Sequence, residues 1–286
     1  MKIDIKPILQ RVDTFQRSHP VLAFPVAVFK RFDEDKVGKQ AALVTYYAFL
    51  SLFPLLMIFI TTLGIIAASN PDLEAKIIQT VLEAFPALGN DLKNNINSIS
   101  STGFAFILQC LVVLYGARGM ASILQETFNN LWHIDKEHRP NFISDNLRSF
   151  GMMAAVGIGM IIGTALSYAL SSVLDIGTVG VVLLNIFNAA ITFGLFLAVF
   201  RLGTSAHISS RKLVLGAAIA MIGTLLVQRL GGYIMAEQLP RLEGSYGSFA
   251  VALGMLFWIY LQAQVILYAL VITIVRTEKD WPKKLF

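Results

Sequence analysis

Two arginines, one glutamate and a set of amides sit in segments otherwise made of apolar residues. Arg118 lies in Tyr115-Gly-Ala-Arg-Gly119, inside the apolar run 104–122. Glu126 follows it by two helical turns, and Arg229 lies inside the run 213–236. Gln109, Asn185, Asn188, Gln228, Gln262 and Gln264 add amides to the same kind of segment. A guanidinium fork is built to hold phosphate or carboxylate, and lysine is a poor substitute for it. If each run is a helix, Arg118 lies about 21 Å from Phe104 and Arg229 about 24 Å from Leu213. Two readings follow. The arginines reach out to headgroups while the amides tie helices together. Alternatively, Arg118, Glu126, Arg229, Asn188 and Gln262 line a polar path with an anion-attracting arginine near each end.

Other chemistry is sparse. The chain has no GxxxxGK[ST] phosphate loop, no HExxH and no CxxC. His19, His133, His138 and His207 lack metal-ligand spacing, so neither a catalytic constellation, a cofactor nor a metal is expected. Asp33-Glu34-Asp35 is the one acidic cluster; beside Lys30, Arg31, Lys36 and Lys39 it is expected to pair locally and cap the start of the first long run. The single cysteine, Cys110, rules out an intrachain disulfide.

The segments carrying these residues set the class of protein. Of 286 residues, 56% are hydrophobic and 14% charged, with mean hydropathy +0.66. A soluble domain carries about a quarter charged residues. Six long apolar runs cover roughly 41–68, 104–122, 150–173, 179–200, 213–236 and 249–275. Each approaches the 20 or so residues that span a bilayer core. Continuous runs of this length are helices, since barrel strands alternate. Lysine and arginine in the successive flanks number 8, 2, 3, 0, 3, 1 and 4. Positive residues stay cytoplasmic. The alternation therefore predicts an all-α, polytopic inner-membrane protein with six transmembrane helices and both termini in the cytoplasm. The net charge of +5 belongs to these flanks and points to lipid headgroups, not to nucleic acid. No cleavable signal peptide is evident in the first forty residues, so the first span is expected to serve as its own insertion signal. The chain reads as one membrane domain: a lead at 1–40, a bundle at 41–275 and a tail at 276–286.

Within the lead, Ile5, Ile8, Leu9, Val12 and Phe15 recur at helical spacing between Lys6, Arg11 and Arg17. Such a helix lies on the membrane surface or packs on the bundle. The stretch 20–32 is apolar but short, and Pro25 is expected to interrupt it. In the gap 69–103, Asn70-Pro71 starts one helix, Pro86 ends it, and Leu88, Leu92, Ile96 and Ile99 mark another. This predicts an outer helical hairpin between spans one and two. Pro54 should kink span one. In span three, Gly151, Ala155, Gly159, Gly163, Ser167 and Ser171 form a small-residue ladder, with Gly159 and Gly163 at a close helix contact. Gly216, Ala220 and Thr224 repeat the device in span five.

Two segments resemble a known family. Arg31-Phe-Asp-Glu-Asp35 followed by Ala41-Ala-Leu-Val-Thr-Tyr-Tyr-Ala-Phe-Leu-Ser-Leu-Phe-Pro54 is similar to the opening of the YihY/BrkB family of bacterial inner-membrane proteins. Tyr246-Gly-Ser-Phe-Ala-Val-Ala-Leu-Gly-Met-Leu-Phe-Trp-Ile-Tyr260 resembles its last span. The order of spans and the long second gap agree, so the resemblance covers nearly the whole chain. It implies a six-helix inner-membrane bundle. Members carry labels such as ribonuclease BN-like and virulence factor, and some have been proposed to move lipids or lipid-linked molecules. A ribonuclease would need an acid/base or metal constellation that this chain lacks. Where the family shows Gly-Ala-Glu late in the last span, this chain has Ala269-Leu270-Val271. The resemblance implies little about activity; with the arginines and amides inside the spans, the reading is a transporter or flippase-like exporter of an amphipathic or anionic substrate, with membrane lipids as its partners. A non-transporting scaffold in envelope assembly is the competing class.

Overall fold

The computed structural model describes residues 20–51, 104–173, 178–205, 208–233, 249–279 and 281. Among these the chain is helical throughout, with no strand. Helix α1 covers Pro20–Glu34, and helical residues 37–51 (α2) follow it. Then come α3 (Phe104–Leu131), a 3-10 turn (Lys136–His138), α4 (Phe142–Val173), α5 (Thr178–Gly203), α6 (Ser210–Tyr233) and α7 (Phe249–Glu278). Among the described residues, three stretches are long and apolar enough to cross a membrane: Val179–Gly203, Ser210–Gly231 and Ala252–Glu278. Along α5, Val179, Val181, Val182, Leu183, Ile186 and Phe187 are all exposed, a surface that only lipid can solvate. Pro54, the 69–103 hairpin and the basic helix at 5–15 lie outside the described residues, as do His19 and His207.

The helices form two compact units. One holds 1–43, 121–226 and 262–286; the other holds 44–120 and 227–261. In the first unit, α4 and α5 run antiparallel, with small residues of α4 receiving side chains of α5. Gly151 faces Leu202, Gly159 faces Leu195 and Gly163 faces Ile191. A Cβ on Gly159 would overlap Leu195, whereas one on Gly163 would meet Ile191 at 3.9 Å. The same unit packs α6 on α7. Gly216 lies against Thr273 and the Ala269 carbonyl, and Gly223 against Val265. In the second unit, Gly231 lies against the Trp258 ring and Gly119 against Tyr47.

Several boundaries differ from the apolar runs. Pro25 does not interrupt the stretch 20–32: α1 passes through it unbroken. Pro25 sits in the second turn, where it forfeits one hydrogen bond, and burial of Ala23, Ala27, Val28 and Arg31 along one face outweighs that loss. Helix α3 continues nine residues past its apolar run. Leu124, Phe128 and Leu131 keep the helical apolar spacing there, and Gln125, Thr127 and Asn129 are buried beside them. Helix α4 likewise begins at Phe142, with Asn141 as its N-cap: Asn141 Oδ1 accepts the Ser144 N–H at 3.0 Å.

Candidate functional site

Within the first unit, the ends of α1, α3 and α7 meet around one buried guanidinium. Each of these helices is followed by a left-handed residue that is not glycine: Lys36 (φ 51°), His133 (φ 49°) and Lys279 (φ 55°). After α3, His133 N–H donates to the Asn130 carbonyl at 3.0 Å and Ile134 N–H to the Asn129 carbonyl at 2.9 Å. That is the Schellman arrangement, and it leaves the Leu131 carbonyl unclaimed by the backbone. Arg31, 5% exposed, fills the vacancy: its Nη2 donates to Leu131 O at 3.1 Å. Its Nε donates to Asp35 Oδ2 at 2.7 Å, one turn along, and Nη1 lies 3.6 Å from Glu278 Oε2 at the end of α7.

His133 closes the ring. Its Nε2 lies 2.9 Å from Asp35 Oδ1, and its Nδ1 lies 3.3 Å from Arg31 Nη2. Arg31 has only N–H groups to offer, so Nδ1 must accept, and Nε2–H then donates to Asp35. A neutral imidazole satisfies both contacts at once. Gln40 adds a further tie by donating through Nε2 to the Asp35 carbonyl at 3.0 Å. The cation sits where helix C-termini place partial negative charge, so dipoles and carboxylates act on it in the same sense. Asp33-Glu34-Asp35 thus pairs locally through Asp35 and also reaches 98 residues along the chain.

A second polar layer lies between α3, α4 and the loop after α5. The Gln125 amide donates to Asp145 Oδ1 at 2.8 Å and accepts from Ser149 Oγ at 2.8 Å. Asn129 Oδ1 accepts the Ser205 N–H at 2.8 Å, and Arg148 Nη1 donates to the Thr204 carbonyl and to Ser205 Oγ, both at 3.2 Å. Phe128 packs edge-on against Phe200 and fills the space that a side chain at Gly203 would need. These bonds hold the loop after α5 against α3 and α4.

The residues singled out from the sequence fall elsewhere. Arg118 and Arg229 belong to the second unit, Arg118 half-buried and Arg229 exposed. Glu126, Asn188 and Gln262 belong to the first. Glu126 and Asn188 are exposed, and Gln262 is half-buried with its Oε1 enclosed and without a hydrogen-bond partner among the described residues. The Thr224 hydroxyl on α6 is in the same position. No group of three or more histidine, cysteine, aspartate or glutamate side chains able to hold a metal occurs among the described residues. Sequence reasoning gave Arg31 only a local pairing with the acidic cluster and missed its contacts with Leu131, His133 and Glu278, because all of these sit in flanks that insertion already explains. The left-handed turns that assemble them carry no glycine to announce them. The Leu124, Phe128, Leu131 spacing was the available signal that α3 runs on to this point.

Residues 28–284 match the family model described as Virulence factor BrkB. The chain is 30% identical over 154 residues to an uncharacterized protein of Dickeya dadantii, covering 50% of this chain and 47% of that protein. It is 29% identical over 164 residues to the inner membrane protein YhjD of Escherichia coli, covering 54% and 47%. A UPF0761 membrane protein of Alcanivorax borkumensis is 25% identical over 262 residues, covering 88% of this chain and 59% of that protein. The chain therefore spans about half the length of the first two relatives and less than two thirds of the third. No solved structure matches it. The family match takes in α3 to α7 and all four groups that meet at Arg31, and the chain belongs to the virulence factor BrkB family of membrane proteins.

Proposed function

We propose that this chain crosses the inner membrane six times with both termini in the cytoplasm, and that it moves an amphipathic, anionic molecule across the bilayer. The charge alternation of the flanks supports the orientation. The observation that carries the transport reading is a pair of enclosed polar atoms, one on α6 and one on α7, without a hydrogen-bond partner among the described residues. They are Thr224 Oγ1 and Gln262 Oε1. A buried polar atom left unsatisfied costs about 1–3 kcal/mol. In a protein whose helices have lipid available as an apolar solvent, such atoms suit a passing headgroup or the water that accompanies it. Arg118 and Arg229, which belong to the second unit, would each attract an anionic headgroup. No catalytic step, cofactor or metal enters this reading.

Reconstitution of the purified chain in vesicles with fluorescent phosphatidylglycerol in one leaflet tests it. The wild type should exchange the probe between leaflets faster than protein-free vesicles. Gln262→Leu, Arg118→Gln and Arg229→Gln should each slow that exchange while inserting normally, and lysine should restore only part of it at the arginine positions. A wild-type rate equal to that of protein-free vesicles refutes the reading. The competing role, a scaffold in envelope assembly, draws on the solid ion-paired packing around Arg31. It predicts that all three variants keep full cellular function.

A further inference from the structure

An open cavity of about 510 Å³ lies in the first unit where α6 begins and α7 ends. It is lined by Phe24, Leu215, Arg276, Lys279 and Trp281. With α6 and α7 read as crossing the bilayer, the start of α6 and the end of α7 fall at one face of it, and the cavity lies at the boundary between headgroups and hydrocarbon. Arg276 and Lys279 are exposed and form no ion pair among the described residues. The acidic side chain between them in sequence, Glu278, reaches the other way, to Arg31. Arg211 and Lys212, in the first turn of α6 and one turn before the lining residue Leu215, are exposed and add to the positive charge at this end of the helix. The opposite wall is apolar. Phe24 and Trp281 pack edge to face with centroids 5.9 Å apart, a tryptophan placement suited to the interface. Below Leu215, the exposed side chains of Val214, Ile222 and Leu226 continue along α6 toward the membrane interior.

We propose that this cavity is a binding site for one anionic glycerophospholipid. Arg276 and Lys279 take the phosphate, Phe24 and Trp281 flank the glycerol region, and an acyl chain follows Val214, Ile222 and Leu226. Four observations agree on this chemistry: two cations with no ion pair among the described residues, an aromatic wall, a volume fit for a headgroup, and an apolar track leading away from it. A zwitterionic lipid would leave the two cations without a net counter-charge. A soluble phosphate would leave the track empty. The site asks only that α6 and α7 cross the bilayer and is independent of whether the protein transports anything.

The test uses the full chain in lipid nanodiscs, with Trp132→Phe and Trp258→Phe leaving Trp281 as the sole fluorophore. Brominated phosphatidylglycerol and brominated phosphatidylcholine are compared as quenchers at equal mole fraction. Two cations at about 1 kcal/mol each correspond to roughly 30-fold enrichment of the anionic lipid. Quenching by the glycerol lipid should therefore saturate at a far lower mole fraction. Arg276→Gln with Lys279→Gln should bring it to the phosphatidylcholine curve, and Arg276→Lys with Lys279→Arg should not. Native mass spectrometry of the otherwise unaltered chain provides the same comparison without the tryptophan substitutions, as retained lipid adducts. Identical behaviour of the two lipids, or a phosphatidylglycerol preference that survives the double glutamine variant, overturns the proposal. Full reversal of the quenching by millimolar glycerol phosphate also overturns it, since a soluble ligand would then be the occupant.

Discussion

Replacing Arg31 with alanine should be among the most destabilising single changes in the first unit. The substitution removes a side chain that is 5% exposed and leaves four acceptors, on Asp35, Leu131, Glu278 and His133, to manage without it. Asp35, whose side chain is 12% exposed, loses its 2.7 Å partner and keeps only His133. The Leu131 carbonyl at the end of α3 loses its one side-chain donor. Glu278 is a third exposed and 3.6 Å away, so solvent screens its contribution and the cost falls on Asp35 and Leu131. Breaking a buried pair by deleting one partner costs about 3–5 kcal/mol, most of it the uncompensated charge that remains. At about 2–4 °C per kcal/mol, the melting midpoint should fall by roughly 10 °C. Heating detergent-solubilised protein and following the surviving monodisperse peak by size exclusion would measure it. Arg31→Lys should lie between wild type and alanine, because one ammonium cannot reach Asp35, Leu131 O and His133 together. A double-mutant cycle with Asp35→Leu should return a coupling of about 0.5–3 kcal/mol. If Arg31→Ala melts within about 2 °C of wild type, the effect of at most about one kcal/mol at this size, the convergence of three helix ends on Arg31 does not hold the unit together.

Gly159→Ala should lower stability by about 1–3 kcal/mol through overlap with Leu195, and Leu195→Ala should relieve it. Gly157→Ala, which meets nothing within 4 Å, should be neutral or stabilise by up to about 1 kcal/mol, and equal effects at the two positions would show that α4 does not pack as described. Asn129→Leu should cost about 1–3 kcal/mol by stranding the Ser205 N–H, read as increased protease cutting in the loop after α5. A cysteine at position 90 in a Cys110→Ala background should be labelled by an impermeant thiol reagent only from the periplasmic side. Labelling only from the cytoplasm would reverse the proposed orientation.

Hydropathy and small-residue spacing made much of the architecture legible in the sequence. The runs 179–200, 213–236 and 249–275 coincide with α5, α6 and α7 to within a few residues at each end. The Gly151, Gly159 and Gly163 spacing lies along the α4–α5 seam. The misjudged points share a physical cause. A hydropathy run ends where residues turn polar, but a helix ends where its backbone loses partners. Gln125, Thr127 and Asn129 are polar and yet buried, because side-chain bonds to Asp145, Ser149 and Ser205 replace water. The run stops at 122 while α3 goes on to Leu131. Arg31 was masked in the same way. A basic residue in a cytoplasmic flank already has a reason to be there, and only the fold shows that α3 and α7 end upon it.

The position of Ala269, Leu270 and Val271 sharpens what kind of interior this family member has. All three are fully buried, in place of the Gly-Ala-Glu implied by the resemblance. The Ala269 carbonyl also accepts from Thr273 Oγ1 at 2.8 Å, and a Cβ on Gly216 would approach that same carbonyl at 3.2 Å. Helices α6 and α7 are therefore in near backbone contact at this level, and the seam has no room for a solvated carboxylate. A charge there would be desolvated at a cost of several kcal/mol unless it had a partner. Gln262, two and a half turns earlier on α7, has instead an enclosed amide oxygen awaiting a donor. Any polar route through the first unit must then approach α7 near Gln262 and avoid the sealed seam at Ala269–Val271. A mechanism that shuttles a proton on a late-span carboxylate does not fit this chain. The proposed passage of a hydrated anionic headgroup by the neutral amide and hydroxyl of Gln262 and Thr224 needs no such carboxylate.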